Sequence, residues 1–302
     1  MYRKILVGYD GSDQAKDALT LGRQLADTTG AELAVASVFA LNLPVRGGFT
    51  PVPSDADRDL ERQLERVAES VDAAAQPVRS TSPARGLHEL AEEIEADLIV
   101  VGSSRHGRIG QTLLGNVGVA LMHGSPCAVA IAPRGYSQAQ PGISAIVVGY
   151  DGSPESQLAL EPACELARAS DAPLKLVSVP EPPDVTLGAT GAASYGWQAL
   201  EEALEEQARQ RLDEARTSVP DDLQVEATLV SGAPADALAE AASGPGSLLL
   251  VGSRAYGPLR RVLLGSVSRE LAGSAAAPLI VHPRGMHDQP KTVPSSEAGT
   301  TA

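Results

Sequence analysis

Two short segments, each written twice in this chain, carry the residues that could do chemistry. GYDGS at 8–12 returns unchanged at 149–153, an acid, a glycine and a hydroxyl in sequence. That set suits the point where a strand ends and a helix is capped. Further on, GSSRHGRIGQTLLGN (102–116) has its counterpart in GSRAYGPLRRVLLGS (252–266). Both are Gly-rich and run into a helical pattern whose early amides can face an anion. Charge points the same way. No Asp or Glu lies between Leu98 and Tyr150, where Arg105 and Arg108 fall, nor between Ala241 and Arg269, where Arg254, Arg260 and Arg261 fall. In a chain of net charge -14, an acid-free stretch carrying Arg reads as an anion seat. The same glycines would also serve a tight turn with no ligand at all.

Other chemistries find less support. There is no GxxxxGK[ST], GYDGS lacks the three-glycine dinucleotide fingerprint, and the SGGxD-like loop of ATP pyrophosphatases is missing. Of the histidines, His88, His106, His123, His282 and His287, none joins a Ser/Cys-plus-acid set or has metal-ligand spacing. His106 lies in the candidate loop, as a phosphate contact or a solvated side chain. Asp10 and Asp151 could act as bases, or simply as acids at a helix start. Cys127 and Cys164 sit in apolar stretches as core residues, with no CxxC between them. Two isolated thiols, no apolar segment ahead of MYRKILVGYD and no apolar run near about 18 residues lead to a cytoplasmic, non-membrane expectation. The acidic balance argues against nucleic acid or an anionic membrane as partner. Nothing here assembles a turnover apparatus, so an enzyme is not expected.

The elements that must position these segments follow from the repeat. KILVGYDGS at 4–12 matches AIVVGYDGS at 145–153; VGS at 101–103 returns at 251–253, LLG at 113–115 at 263–265, and PRG at 133–135 at 283–285. The offset grows from 141 to 150, and the nine extra residues fit the Gly- and Pro-rich stretch Pro182 to Gly196. In copy one, KILVGYD (4–10), ELAVASV (32–38), a weak QPVRS (76–80), DLIVVGS (97–103) and CAVAIAP (127–133) read as strands. Ala15, Ala18, Leu19, Gly22, Leu25 and Ala26 recur at helical spacing behind Ser12, and 54–75, 83–95 and 111–123 make four helices in all. In copy two, Ser153 caps, Pro154 takes the first helical position, and Pro162 should kink that helix. Continuous Val/Ile-rich strands separated by helices mean a doubly wound parallel sheet, with cores of Val, Ile, Leu and Ala since aromatics are 3%. The expected division is 1–137, a linker 138–143, 144–285, and a polar disordered tail 286–302.

This repeated unit resembles the universal stress protein domain, whose nucleotide-binding branch shows G-x2-G-x9-G-[ST] after its fourth strand. The resemblance covers nearly all of 2–135 and 144–285. It implies an α/β fold of two tandem doubly wound domains, each a five-stranded parallel sheet of order 3-2-1-4-5 with four helices. It implies ATP, with Mg2+, as cofactor. By position, Gly102, Gly115, Asn116 and Val117 in copy one, and Gly252, Gly265, Ser266 and Val267 in copy two, would hold phosphates. Asp10 and Asp151 would contact adenosine, with Val38 and Val179 lining the adenine slot. The resemblance further implies that CAVAIAP and APLIVHP pair as fifth strands in an intramolecular pseudo-dimer, with room for a homodimer of whole chains. No protein partner is identified.

One position departs from the family. The motif's second glycine is Arg105 in copy one and Ala255 in copy two, while Gly107 and Gly257 stand two places later. Either the turn is re-registered on those glycines, or a non-glycine residue occupies a strained position at a cost of about 1–2 kcal/mol. Ala255 is small and Ser266 keeps the hydroxyl that Asn116 replaces, so copy two is expected to bind nucleotide better. The expected function is an adenine-nucleotide-binding stress-response sensor or regulator with at most slow hydrolysis. A nucleotide-free interaction module of the same family is the alternative.

Overall fold

The computed structural model describes residues 1–40, 55–103, 116–139, 142–180, 194–253, 265–274 and 276–283. In the first half, β1 (Lys4–Gly8), β2 (Glu32–Ala40), β3 (Ala74–Ser80), β4 (Leu98–Gly102) and β5 (Ala128–Ala132) alternate with helices. These are α1 (Asp13–Thr29), α2 (Asp55–Ser70), α3 (Pro83–Glu93) and α4 (Asn116–Met122). A four-residue helix, α5 (Tyr136–Ala139), leads into the second half. There β6 (Ala145–Gly149), β7 (Leu174–Ser178), β8 (Val225–Leu229), β9 (Ser247–Gly252) and β10 (Leu279–His282) alternate with four helices. They are α6 (Pro154–Ser170), α7 (Ser194–Ser218), α8 (Pro234–Ala241) and α9 (Ser266–Ser274).

All ten strands form one sheet, in the order β3-β2-β1-β4-β5-β10-β9-β6-β7-β8. Each half is parallel throughout and keeps the expected 3-2-1-4-5 order. The halves meet antiparallel at β5 and β10, Ile280 opposite Ala130. The pairing of CAVAIAP with APLIVHP is thus present within one chain. It removes two edges that would otherwise offer unpaired backbone groups.

Strand alternation assigns the layers. Ile5, Val7, Leu98 and Val100 face α1 and α2, while Leu6, Ile99 and Val101 face α3 and α4. Along β5, alanines 128, 130 and 132 all face the first layer, small enough to let α1 and α6 lie against the seam and each other. Core residues of both halves therefore form one cluster there.

The link is anchored from within this layer. Buried Asp17 on α1 accepts the amides of Gly135 (2.9 Å) and Ser137 (2.8 Å) and the Ser137 hydroxyl (2.6 Å). Tyr2 and His282 close the seam's other end, Tyr2 Oη lying 2.7 Å from His282 Nε2 with the rings stacked at 5.9 Å. Burial drives the His282 imidazole down to about 3 and the Tyr2 phenol well up, so a neutral pair spans the two halves.

One sequence expectation needs correction. The helix expected over 54–75 ends at Ser70, because Asp72 takes a left-handed φ of 53° and Ala74 already belongs to β3. Residues 111–115, where the fourth helix was expected to begin, lie outside the described residues, and α4 is described from Asn116. Pro162, where a kink was expected, lies inside α6, which runs on to Ser170 and is closed by left-handed Asp171. The tail 286–302 lies outside the described residues.

Candidate functional site

The carboxyl ends of β1 and β6 break into the same turn. Asp10 Oδ1 accepts the Ser12 amide (3.0 Å) and hydroxyl (2.5 Å), and Asp151 Oδ1 accepts those of Ser153 at 2.9 and 2.5 Å. Each serine oxygen in turn accepts an amide 3.2 Å away, from Ala15 or Ser156, and so caps α1 or α6. Between acid and serine, Gly11 (φ 78°) and Gly152 (φ 76°) occupy the left-handed region that glycine enters without steric cost. One oxygen of each aspartate is therefore committed to building the turn, a task beyond the adenosine contact implied by resemblance.

The ends of β4 and β9 press against the helices that follow these turns. A methyl group on Gly102 would lie 2.1 Å from the Gln14 carbonyl oxygen; on Gly252 it would lie 2.4 Å from the Glu155 carbonyl carbon. Backbone cannot yield as a flexible side chain can, so glycine is required at both positions for close packing whether or not a phosphate comes near.

In the second half these ends frame a cleft. It is lined by the apolar Val177, Val179, Val251, Pro234 and Leu238, by Tyr150, Asp151, Ser153 and Glu155, and by Gly252, Gly265, Val267 and Ser268. The cavity volume is ≈ 90 Å³, below the range of about 300–1,000 Å³ common for small-molecule sites, so among the described residues the cleft is a narrow slot. An apolar slot beside main chain and the start of α9 suits a flat ring carrying an anionic group. Burial pushes the Tyr150 phenol up, keeping it a neutral donor in the cleft lining.

Of the expected site residues, Asp151, Val179, Gly252, Gly265 and Val267 line this cleft. Ser266, exposed, begins α9. In the first half Val38 packs partly buried beside Gly86, its Cγ1 2.9 Å from where a Gly86 methyl would stand. Asn116 begins α4, and Val117 is exposed. Gly107, Gly115, Gly257, Arg105 and Ala255 lie outside the described residues, as do the other loop arginines and His106.

Sequence reasoning missed two features. The acid-free window in copy two is not acid-free in space, since α6 brings buried Glu155 against Gly252. Its first-half counterpart, Gln14, makes the same backbone contact without a charge. Secondly, the buried hydroxyls of Ser103 and Ser253, one residue beyond those glycines, have no hydrogen-bond partner among the described residues. The repeated VGS was visible in sequence, but its unpaired hydroxyls were not. Among the described residues, no group of three His, Cys, Asp or Glu could hold a metal, and no helix is long and apolar enough to cross a membrane.

The sequence pattern described as "Universal stress protein family" matches residues 1–133 and 142–283. Universal stress protein Rv2319c of Mycobacterium tuberculosis is 27% identical over 302 residues, covering 92% of this chain and 99% of the relative. Universal stress protein Rv2005c of the same organism is 28% identical over 295 residues, covering 92% and 96%. Among solved structures, a universal stress protein from Archaeoglobus fulgidus DSM 4304 superposes with a TM-score of 0.64 at 20% identity, covering 93% of this chain and 98% of that one. At that identity the likeness is one of fold.

Proposed function

The chain belongs to the universal stress protein family, and from that premise we propose that it is an adenine-nucleotide-binding sensor or regulator of the stress response, with at most slow ATP hydrolysis. The observation that carries this reading is the second-half cleft, where an apolar slot adjoins a main-chain-lined end. Val177, Val179 and Leu238 would take the adenine, Asp151 the ribose, and the backbone of Gly252, Gly265 and Ser266 the phosphates. ATP brings its own Mg2+, whose part would be to neutralise phosphate charge. Localisation in the cytoplasm fits this role.

Gly265 provides the test. Gly265→Asp should abolish ATP binding in the second half, by filling the place where backbone meets phosphate and by adding a like charge. Gly265→Ala carries the steric change alone, so the pair separates shape from charge. Calorimetric titration of the parent and both variants decides it: unchanged ATP affinity in both variants would mean that the phosphates do not sit here, and a parent that binds no ATP would favour a nucleotide-free interaction module. Glu155 in the cleft, with Arg105 and Ala255 in place of the motif's second glycine, is what supports that second reading.

A further inference from the structure

The second-half seat and the equivalent place in the first half share one backbone frame but differ at one acidic position. Gln14 and Glu155 occupy equivalent places, each with its backbone and Cβ against the glycine that ends β4 or β9. Glu155 is 9% exposed and lines the cleft. Acids are seldom buried at that level without a specific task. It also interacts with other groups of the chain, and its Cβ lies 2.7 Å from where a Gly252 methyl would stand, so the carboxylate is within a side chain's reach of the phosphate end.

We propose that Glu155 determines specificity in the second half, so that this cleft selects adenine ligands whose phosphate end carries little net charge, while Gln14 leaves the first half open to highly charged ones. The inference rests on the adenine-nucleotide reading of the cleft. Low net charge can come from fewer phosphates or from phosphates neutralised by a divalent cation. Both relieve the same repulsion, because like charges in a partly desolvated site oppose each other strongly. A magnesium ion held by phosphates and one carboxylate is itself an ordinary arrangement.

The full-length chain serves for the test, with adenosine, AMP and ATP titrated with and without Mg2+. The parent should show two unequal sites for metal-free ATP, converging when Mg2+ is added or AMP is used. Glu155→Gln should strengthen metal-free ATP at the weaker site about tenfold, leaving adenosine within about twofold. Gln14→Glu should weaken metal-free ATP at the other site by a similar factor. A merely structural Glu155 would move adenosine and ATP together, and that outcome overturns the inference, as does no change in either. An equal gain for metal-free and Mg2+-bound ATP also overturns it. Should neither parent nor variant bind any adenine ligand, the nucleotide reading falls, and this inference with it.

Discussion

At the end of β4 the neighbour pressed against glycine is Gln14; at the end of β9 it is Glu155. Over the first turn lies Gln63, whose amide donates to Tyr9 Oη at 3.2 Å; over the second lies Arg211, which donates to the Asp151 carbonyl at 3.2 Å. At the seam, β5 places Ala132 beside Gly102, where β10 places His282 beside Gly252. Backbone-imposed requirements, the two aspartate-serine turns and the two close-packed glycines, are the same in both halves. Side chains that the backbone does not dictate have diverged, and most of them diverged in charge or polarity. A duplicated fold thus keeps its frame while each copy acquires its own electrostatics.

That comparison can be broken at its strongest point first. Gly102→Ala and Gly252→Ala should each destabilise the chain by about 3 kcal/mol, and by similar amounts, because backbone blocks the added methyl in both. Urea unfolding measures this, and a large difference between them would show that the frame is not shared. Asp17→Ala should cost about 2–3 kcal/mol, by stripping charge-assisted bonds from the amides of Gly135 and Ser137. Leu158→Ala, at the corresponding place in α6, would remove no such bonds, so only the first variant should raise amide exchange at Gly135 and Ser137.

A smaller effect depends on pH. His282 titrates at about 3 in the folded chain against 6.5 unfolded, owing to its burial. The unfolded chain therefore binds the extra proton below pH 6.5. Stability from this group is complete above that value and falls as pH drops, by about 2 kcal/mol at pH 5. Chemical denaturation across pH 7 to 5 should show that slope, and His282→Ala, restoring the residue type of position 132, should remove this part of it despite a lower starting stability. The smallest effect is expected from Arg211→Gln, which copies Gln63. Being exposed, it should change stability by less than about 0.5 kcal/mol. A larger thermal shift would mean that Arg211 holds the second turn in place.

Much of this was legible in the sequence because it is local or periodic. The repeat and the Ser12 and Ser153 caps emerged from patterns within short windows, while the strand order and the β5–β10 pairing came through the resemblance to the family. The overrun of α2 has a simple cause: alanines 73–75 favour helix, yet Ala74 and Ala75 pair with Ala34 and Val35 in the edge of a sheet. Glu155 was harder, since charge was judged along one contiguous loop while the seat combines segments far apart in sequence. That acid also alters the expected ranking of the halves, which rested on Ala255 and Ser266 alone; for metal-free ATP the proposal favours the first half. Nor could the Tyr2–His282 contact be read, as its members stand 280 positions apart.

The antiparallel seam has one more consequence. Strands of one half run opposite to those of the other, so their carboxyl ends, and the turns at Asp10 and Asp151, lie on opposite margins of the sheet. In valency terms the molecule is two-headed, with its heads facing apart. No small ligand can bridge them, and a partner that recognises a filled cleft would meet one at a time. Two such partners, however, could be joined through a single chain, and the gain from linking them would depend on the reach between opposite margins rather than on any new contact.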